Sequence, residues 1–289
     1  MDKEQKHRLI SVIEGHMFRV EDLCSSEDVP DEIKVHEIRK SFKRINALLR
    51  FFPDNLKEQV KAFRMPMKAL ARQLTVARET TVNLQFFDQM CTENECLILP
   101  EAQNLKQQLL VENQSSIKAL MEGDSVFAAI KKQMQTGRHA FLERLPETEF
   151  NIDIVSELQQ SFEKARTLFL TSVAEYHPEE YHELRKKMKI LFYQFEFLHP
   201  GQVAVPGTQL ENLHAITDRL GDDHDWYIFM KEIDEDKYTV SDSLTALLDD
   251  TIRRYQQSNL EVLNQSLADF FREANNSFEK SLREIRSSN

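Results

Sequence analysis

Apolar residues recur at three- and four-residue intervals along most of the chain, the pattern of helices that bury one face. In the stretch 35–52, Ile38, Phe42, Ile45, Leu49 and Phe52 trace one such face. The same rhythm predicts helices over 9–23, 70–90, 105–121, 126–145, 154–174, 184–198, 213–233 and 244–285. Pro30, Pro53, Pro100, Pro146, Pro178, Pro200 and Pro206 fall mostly between these segments, since helix interiors reject proline. Pro66 lies inside a helical pattern and predicts a boundary or kink there. The clearest loop is 199–207. The alternation that marks strands is nearly absent, so the expected class is all-α.

Composition narrows the chemistry. Only 6 of 289 residues are glycine, against roughly 7% in ordinary proteins. Neither G-x-G-x-x-G nor G-x-x-x-x-G-K-[ST] occurs, which excludes the glycine-loop phosphate sites of Rossmann and P-loop folds. Cys24, Cys91 and Cys96 are too few and too irregular for a disulfide framework, and no C-x-x-C pair offers a zinc knuckle. Residues 1–6 carry no apolar leader, and no apolar run reaches the length of a membrane span. These features predict a cytoplasmic protein with neither membrane nor cofactor. The net charge of −11 argues against a general or specific nucleic-acid partner.

An internal repeat is more informative. At an offset of 146, His36-Glu37-Ile38-Arg39-Lys40-Ser41-Phe42-Lys43 falls on His182-Glu183-Leu184-Arg185-Lys186-Lys187-Met188-Lys189. The same offset carries Phe51 onto Phe197, Leu74 onto Leu220 and Glu79 onto Asp225. It is close to half the chain length, so the expectation is one unit, 1–289, built of two related helical halves, about 1–146 and 147–289.

Each copy has a cationic stripe opposite its apolar face. In the first, His36, Arg39, Lys40, Lys43 and Arg50 share one side of a helix; in the second, Arg185, Lys186, Lys189 and Tyr193 do. A solvated helix normally mixes charge signs through i,i+4 pairs. These stripes repel themselves unless an anion neutralises them. From 34 to 78 there are 12 basic residues against 3 acidic, whereas from 211 to 250 there are 3 basic against 12 acidic. A concentrated basic face in an acidic body suits a thin, dense polyanion better than bulky duplex DNA.

These residues resemble the CHAD family, the conserved histidine α-helical domain. Its first-half pattern H-x-x-R-x-x-x-[RK]-R, ending L-x-x-F, is matched by His36, Arg39, Lys43, Arg44, Leu48 and Phe51. Its second-half pattern is matched by His182, Leu184, Arg185, Lys186, Lys189, Leu191, Tyr193, Glu196 and Phe197. The stretches 74–79 and 220–225 resemble the family's L-G-x-x-R-D and L-G-x-x-N-D elements. Thr75 stands in place of the glycine, Glu79 in place of the aspartate and His224 in place of the asparagine. Glu196 occupies the position that Arg50 holds in the first half, and Lys61, Arg64, Lys68 and Arg72 have no basic counterparts in the second. The resemblance implies two four-helix bundles related by a pseudo-twofold axis, with a basic cavity that binds inorganic polyphosphate without catalysis. The residues it assigns to the polymer are His36, Arg39, Lys40, Lys43, Arg44, Arg50, Lys68, Arg72, Arg78, His182, Arg185, Lys186, Lys189 and Tyr193. The site should lean on the first half. A receptor role or a place on polyphosphate granules would follow.

Other readings stand beside this one. Glu179-x-x-His182 and Glu211-x-x-His214 have the spacing of di-iron helical sites, but His36 is preceded by Ile33 at the matching position. His224-Asp225 is the dipeptide of all-helical metal-dependent phosphohydrolases, without an evident spread of further ligands. A plain helical protein-interaction scaffold is the third.

Overall fold

Prolines and first-turn carboxylates mark where several helices begin. In the computed structural model α1 (Lys3–Ser25) is followed by Pro30 and α2 (Asp31–Leu48), whose Asp31 and Glu32 sit at the positive end of the helix dipole. Two 3-10 turns, Leu49–Phe51 and Asp54–Leu56, flank Pro53 and lead into α3 (Lys57–Gln73) and α4 (Thr75–Glu93). Pro100 opens α5 (Pro100–Ala119) at a position where its missing N–H costs no helical bond. Then come α6 (Val126–Ala140), α7 (Ile154–Ser172), α8 (Pro178–Leu198), α9 (Gly207–Asp234) and α10 (Asp242–Ser287). The structure describes residues 3–94, 99–122, 125–142, 145, 150–172, 175–198 and 207–287, and none of these is in a strand. The chain is all-helical. The predicted loop at 199–206, Cys96, Pro146 and the midpoint of the two halves lie outside the described residues.

Two local expectations change. The helix does not end at Pro66; α3 runs through it from Lys57 to Gln73. Pro66 and Ala62, whose carbonyl loses its partner, are both exposed, so water replaces the missing bond. The predicted segment 70–90 instead breaks at Leu74, between α3 and α4. At the far end of α9 the chain turns through Asp236, with φ of 56°, while Lys237 N donates to Glu232 O and Asp236 N to Ile233 O. This is a Schellman ending with aspartate in the left-handed position.

Contacts run in parallel along the chain. α1 packs on α2 and α6, and α7 packs on α8 and α10; α2 meets α3 and α4, and α8 meets α9. The two sets join where α2 lies on α8 and α4 on α9. Phe51 and Phe197, matched in the repeat, face one another there with ring centroids 5.8 Å apart. The larger apolar core draws on α1, α2, α3, α6, α7 and α8 with parts of α4, α9 and α10, and a smaller one joins α4, α5, α9 and α10 around Phe87, Leu105, Phe229 and Leu248. α6 reaches α3 because Gly137 has no side chain: a Cβ there would stand 2.3 Å from the Phe63 ring.

Candidate functional site

α2, α4, α8 and α9 enclose a cavity of about 400 Å³. Its wall carries seven cationic side chains: Arg39, Lys40, Lys43 and Arg44 from α2, Arg78 from α4, and Arg185 and Lys189 from α8. Four carboxylates join them, Glu79, Glu196, Asp218 and Asp225, together with His36, His214, His224, Asn83, Tyr193 and Phe192. The seventeen-residue α3 contributes nothing to this lining.

Each cation is held differently. Arg39 Nη1 donates to the Ala71 carbonyl and to Thr75 Oγ1, both at 2.8 Å. The break between α3 and α4 is thereby tied to α2, and Thr75, where the motif prefers glycine, earns a partner. Arg44 forms a two-pronged pair with Glu196, Nε and Nη2 each 2.7 Å from a carboxylate oxygen, and lies 5.2 Å from the centre of the Tyr193 ring. Lys189 Nζ reaches Asp218 at 3.3 Å, and His214 Nδ1 stands 2.8 Å from the same carboxylate. Lys40 stands 3.7 Å from Glu37. Arg185 lies over Gly221 of α9, and its buried Nε has no hydrogen-bond partner among the described residues.

Lys43 is the most perturbed of the set. Water reaches it through the cavity, yet protein and like charge surround it. Burial, then the nearby Arg185, Arg39 and Lys189, push its ammonium down to about 7 against the opposing pull of Asp225. Burial likewise lowers Arg39, Arg78 and Lys189, and raises the carboxyls of Glu79 and Asp225 despite their cationic neighbours. The free cavity thus disfavours charge of either sign, and an incoming anion meets donors whose own solvation is already reduced. Burial raises the Tyr193 hydroxyl to about 12, so it is a neutral donor.

Nine of the sequence-assigned residues meet in the cavity: His36, Arg39, Lys40, Lys43, Arg44, Arg78, Arg185, Lys189 and Tyr193. Five do not line it. Arg50 is turned toward Glu157 of α7, 3.6 Å away, and Lys68 groups with Arg64, Arg50 and Arg72 on the α3 face. Lys186 pairs with Glu183 at 2.6 Å. His182 stands behind the wall, its ring 4.0 Å from that of His224. Both imidazoles are pushed down, chiefly by burial, and His224 falls to about 3; neither Nδ1 has a partner among the described residues. Both are neutral in the free protein, His224 on the cavity wall and His182 behind it. Each expected stripe is therefore only partly delivered to the cavity: Arg50 and Lys186 are left out, the α3 cations do not line it, and Glu196, Asp218 and Asp225 come in.

Sequence reasoning missed Asn83, Asp218 and the neighbouring hollows. One adjoining hollow, of about 270 Å³, shares Arg78, Val82 and Asp225 with the cavity and is walled by Phe86, Trp226 and Tyr255. Another, on the α1 side, shares Lys40, Arg44, Tyr193 and Glu196. None of these contacts repeats at the 146-residue offset, so the repeat could not reveal them. Among the described residues no group of three or more His, Cys, Asp or Glu side chains is arranged to hold a metal ion. No helix among them is long and apolar enough to cross a membrane.

Comparison with solved structures gives two full-length likenesses. PptA from Streptomyces chartreusis superposes with a TM-score of 0.65 at 12% identity, covering 92% of this chain and 98% of that one. The CHAD domain from the plant Ricinus communis superposes with a TM-score of 0.58 at 18% identity, covering 90% of this chain and 89% of the other. At such identities the likeness is one of fold. No curated protein matches the chain. The family model of the CHAD domain matches residues 18–234, a span that takes in α2, α8 and every residue of the cavity wall. The chain belongs to the CHAD domain family.

Proposed function

We propose that the cavity binds inorganic polyphosphate and performs no reaction on it. The reading rests above all on the seven cationic side chains that meet in one cavity wall; among them burial, then Arg185, Arg39 and Lys189, push the Lys43 ammonium down to about 7. Such an arrangement is unfavourable in the free protein, and it becomes favourable when closely spaced negative charges enter. A phosphate chain supplies one charge per unit with oxygens on every side. The guanidiniums of Arg39, Arg78 and Arg185 offer forked donors, while Lys40, Lys43 and Lys189 are adaptable point charges. The family's association with polyphosphate supports the same reading.

The four carboxylates of the wall make the site selective rather than merely sticky: a ligand must bring more charge than Glu196 and Asp218 already supply. We read residues 1–146 and 147–289 as two halves of one unit meeting at this cavity, with parallel helix contacts as support. The protein would act in the cytoplasm as a polyphosphate receptor or granule-associated module.

Titration of the full chain with long-chain polyphosphate at moderate salt tests the proposal. Lys43→Glu with Arg185→Glu removes two charge-assisted contacts worth about 1.5–3 kcal/mol each, a loss of at least about a hundredfold in affinity. Arg39→Glu is the poorer choice, because it also cuts the bonds to Ala71 and Thr75. Absence of binding by the native chain, or full binding by the double variant, refutes the reading.

A further inference from the structure

The Arg44–Glu196 pair does more than neutralise two charges. It stands where two hollows meet: Lys40, Arg44, Tyr193 and Glu196 line both the central cavity and a hollow of about 360 Å³ on the α1 side. That second hollow continues the cationic lining with Arg8 and Arg19 from α1, neither of which belongs to any motif in the sequence. Its other carboxylate, Glu37, is already engaged by Arg19 at 2.6 Å. His16 also lines it, held neutral with its imidazole at about 4 by burial and by Arg44. The hollow therefore offers the same chemistry as the cavity, and the Arg44–Glu196 pair stands between them.

The edge of Arg44 that would fork onto a phosphate is the edge that Glu196 occupies, at 2.7 Å on both prongs. Arg44 does not depend on Glu196 for its position, since its guanidinium also lies 5.2 Å from the centre of the buried Tyr193 ring. A phosphate oxygen can replace the carboxylate without moving the arginine. Glu196 is one-third accessible, so it can swing into water when displaced.

We propose that Glu196 is a displaceable latch on Arg44 that sets the length of phosphate chain the protein accepts, short chains ending in the central cavity and long ones passing Arg44 into the hollow of Arg8, Arg19 and Lys40. The latch rests on the polyphosphate reading of the cavity. A short chain meets enough cations in the cavity and leaves the pair intact. A long chain exchanges one carboxylate contact for phosphate contacts to Arg44 and Arg19 together.

Calorimetric titration of the full chain with tripolyphosphate and with linear polyphosphate of several tens of units tests this. Glu196→Gln keeps the side-chain shape and removes the competing charge. It tightens the long chain about tenfold and tripolyphosphate less than about threefold, and steepens the salt dependence for the long chain by roughly 0.7 for each phosphate newly contacted. Arg19→Gln, an exposed change that leaves the core intact, weakens the long chain alone and withdraws the gain of Glu196→Gln when the two are combined. An equal gain for both lengths, or a gain indifferent to Arg19, overturns the latch while leaving the cavity reading in place. Failure of the native chain to bind either polymer overturns both.

Discussion

Lys43 gives the sharpest test, because its proton and its ligand are linked. In the free protein the ammonium titrates near 7 rather than at 10.5, driven down by burial and by Arg185, Arg39 and Lys189. Bound phosphates return it to the charged form. Binding must then take up protons: about 0.5 per site near pH 7 and about 0.9 near pH 8, where the free lysine is mostly neutral. Affinity accordingly falls by about a decade per pH unit above neutrality. Titration calorimetry near pH 8 in buffers of different ionisation enthalpy reads the proton count directly. Lys43→Met should remove it, since the imidazoles of His36, His182 and His224 are all pushed further from that pH. The free protein carries the converse signature. Between about 7 and 10.5 the unfolded lysine holds a proton that the native one has lost, so stability rises with pH across that window, and Lys43→Met flattens the rise. Proton uptake of zero near pH 8, or uptake unchanged in Lys43→Met, would refute the coupling of this lysine to the ligand.

Three further outcomes follow from the geometry. Lys68→Gln with Arg72→Gln should change polyphosphate affinity by no more than about twofold at physiological salt, because neither lines the cavity; a loss as large as that of Lys43→Glu with Arg185→Glu would extend the site over α3. Gly137→Ala should cost about 1–3 kcal/mol in urea unfolding, as the added methyl meets the buried Phe63 ring that stacks on Phe141, and an unchanged midpoint would show that the ring yields freely. Asp223, 2% exposed and bonded by the Tyr176 hydroxyl, releases its proton at about 6 instead of 3.8. The native state therefore holds the extra proton between those values, and stability falls as pH rises through them. Asp223→Asn should weaken that slope and raise the melting temperature at neutral pH; an unaltered profile refutes the assignment.

Helices were legible in the sequence because burial enforces a period, and any residue of the right polarity satisfies it. Their ends were legible where proline or a first-turn carboxylate acts locally, as at Pro30, Pro100 and Pro178. The break at Leu74 was not. No proline or glycine marks it, and it is held by Arg39 from another helix, which donates to the last-turn carbonyl of α3 at Ala71. Pro66 misled for the opposite reason: a local breaker is tolerated when the carbonyl it abandons faces water.

The site divides along the same line. A helical wheel places His36, Arg39, Lys40, Lys43 and Arg50 on one face; the cavity receives the first four, while Arg50, past the end of α2, turns to Glu157. It cannot say which helix that face will meet, so the α3 cations came in with the resemblance and the carboxylates of α9 were left aside. Those carboxylates are what makes the free protein tenable. Asp225 opposes the repulsion on Lys43 and Arg78, and Asp218 holds Lys189. A cavity lined by cations alone would be costly to fold, and one fully neutralised would have nothing left for a ligand. Seven cations against four carboxylates leaves an excess that folding tolerates and a polyanion can exploit. The acidic run 211–250, which makes the net charge look unsuited to an anionic partner, supplies two of those four carboxylates. The total of −11 and the proposed anion site are therefore not in conflict: part of the acid is counter-charge to the basic cluster.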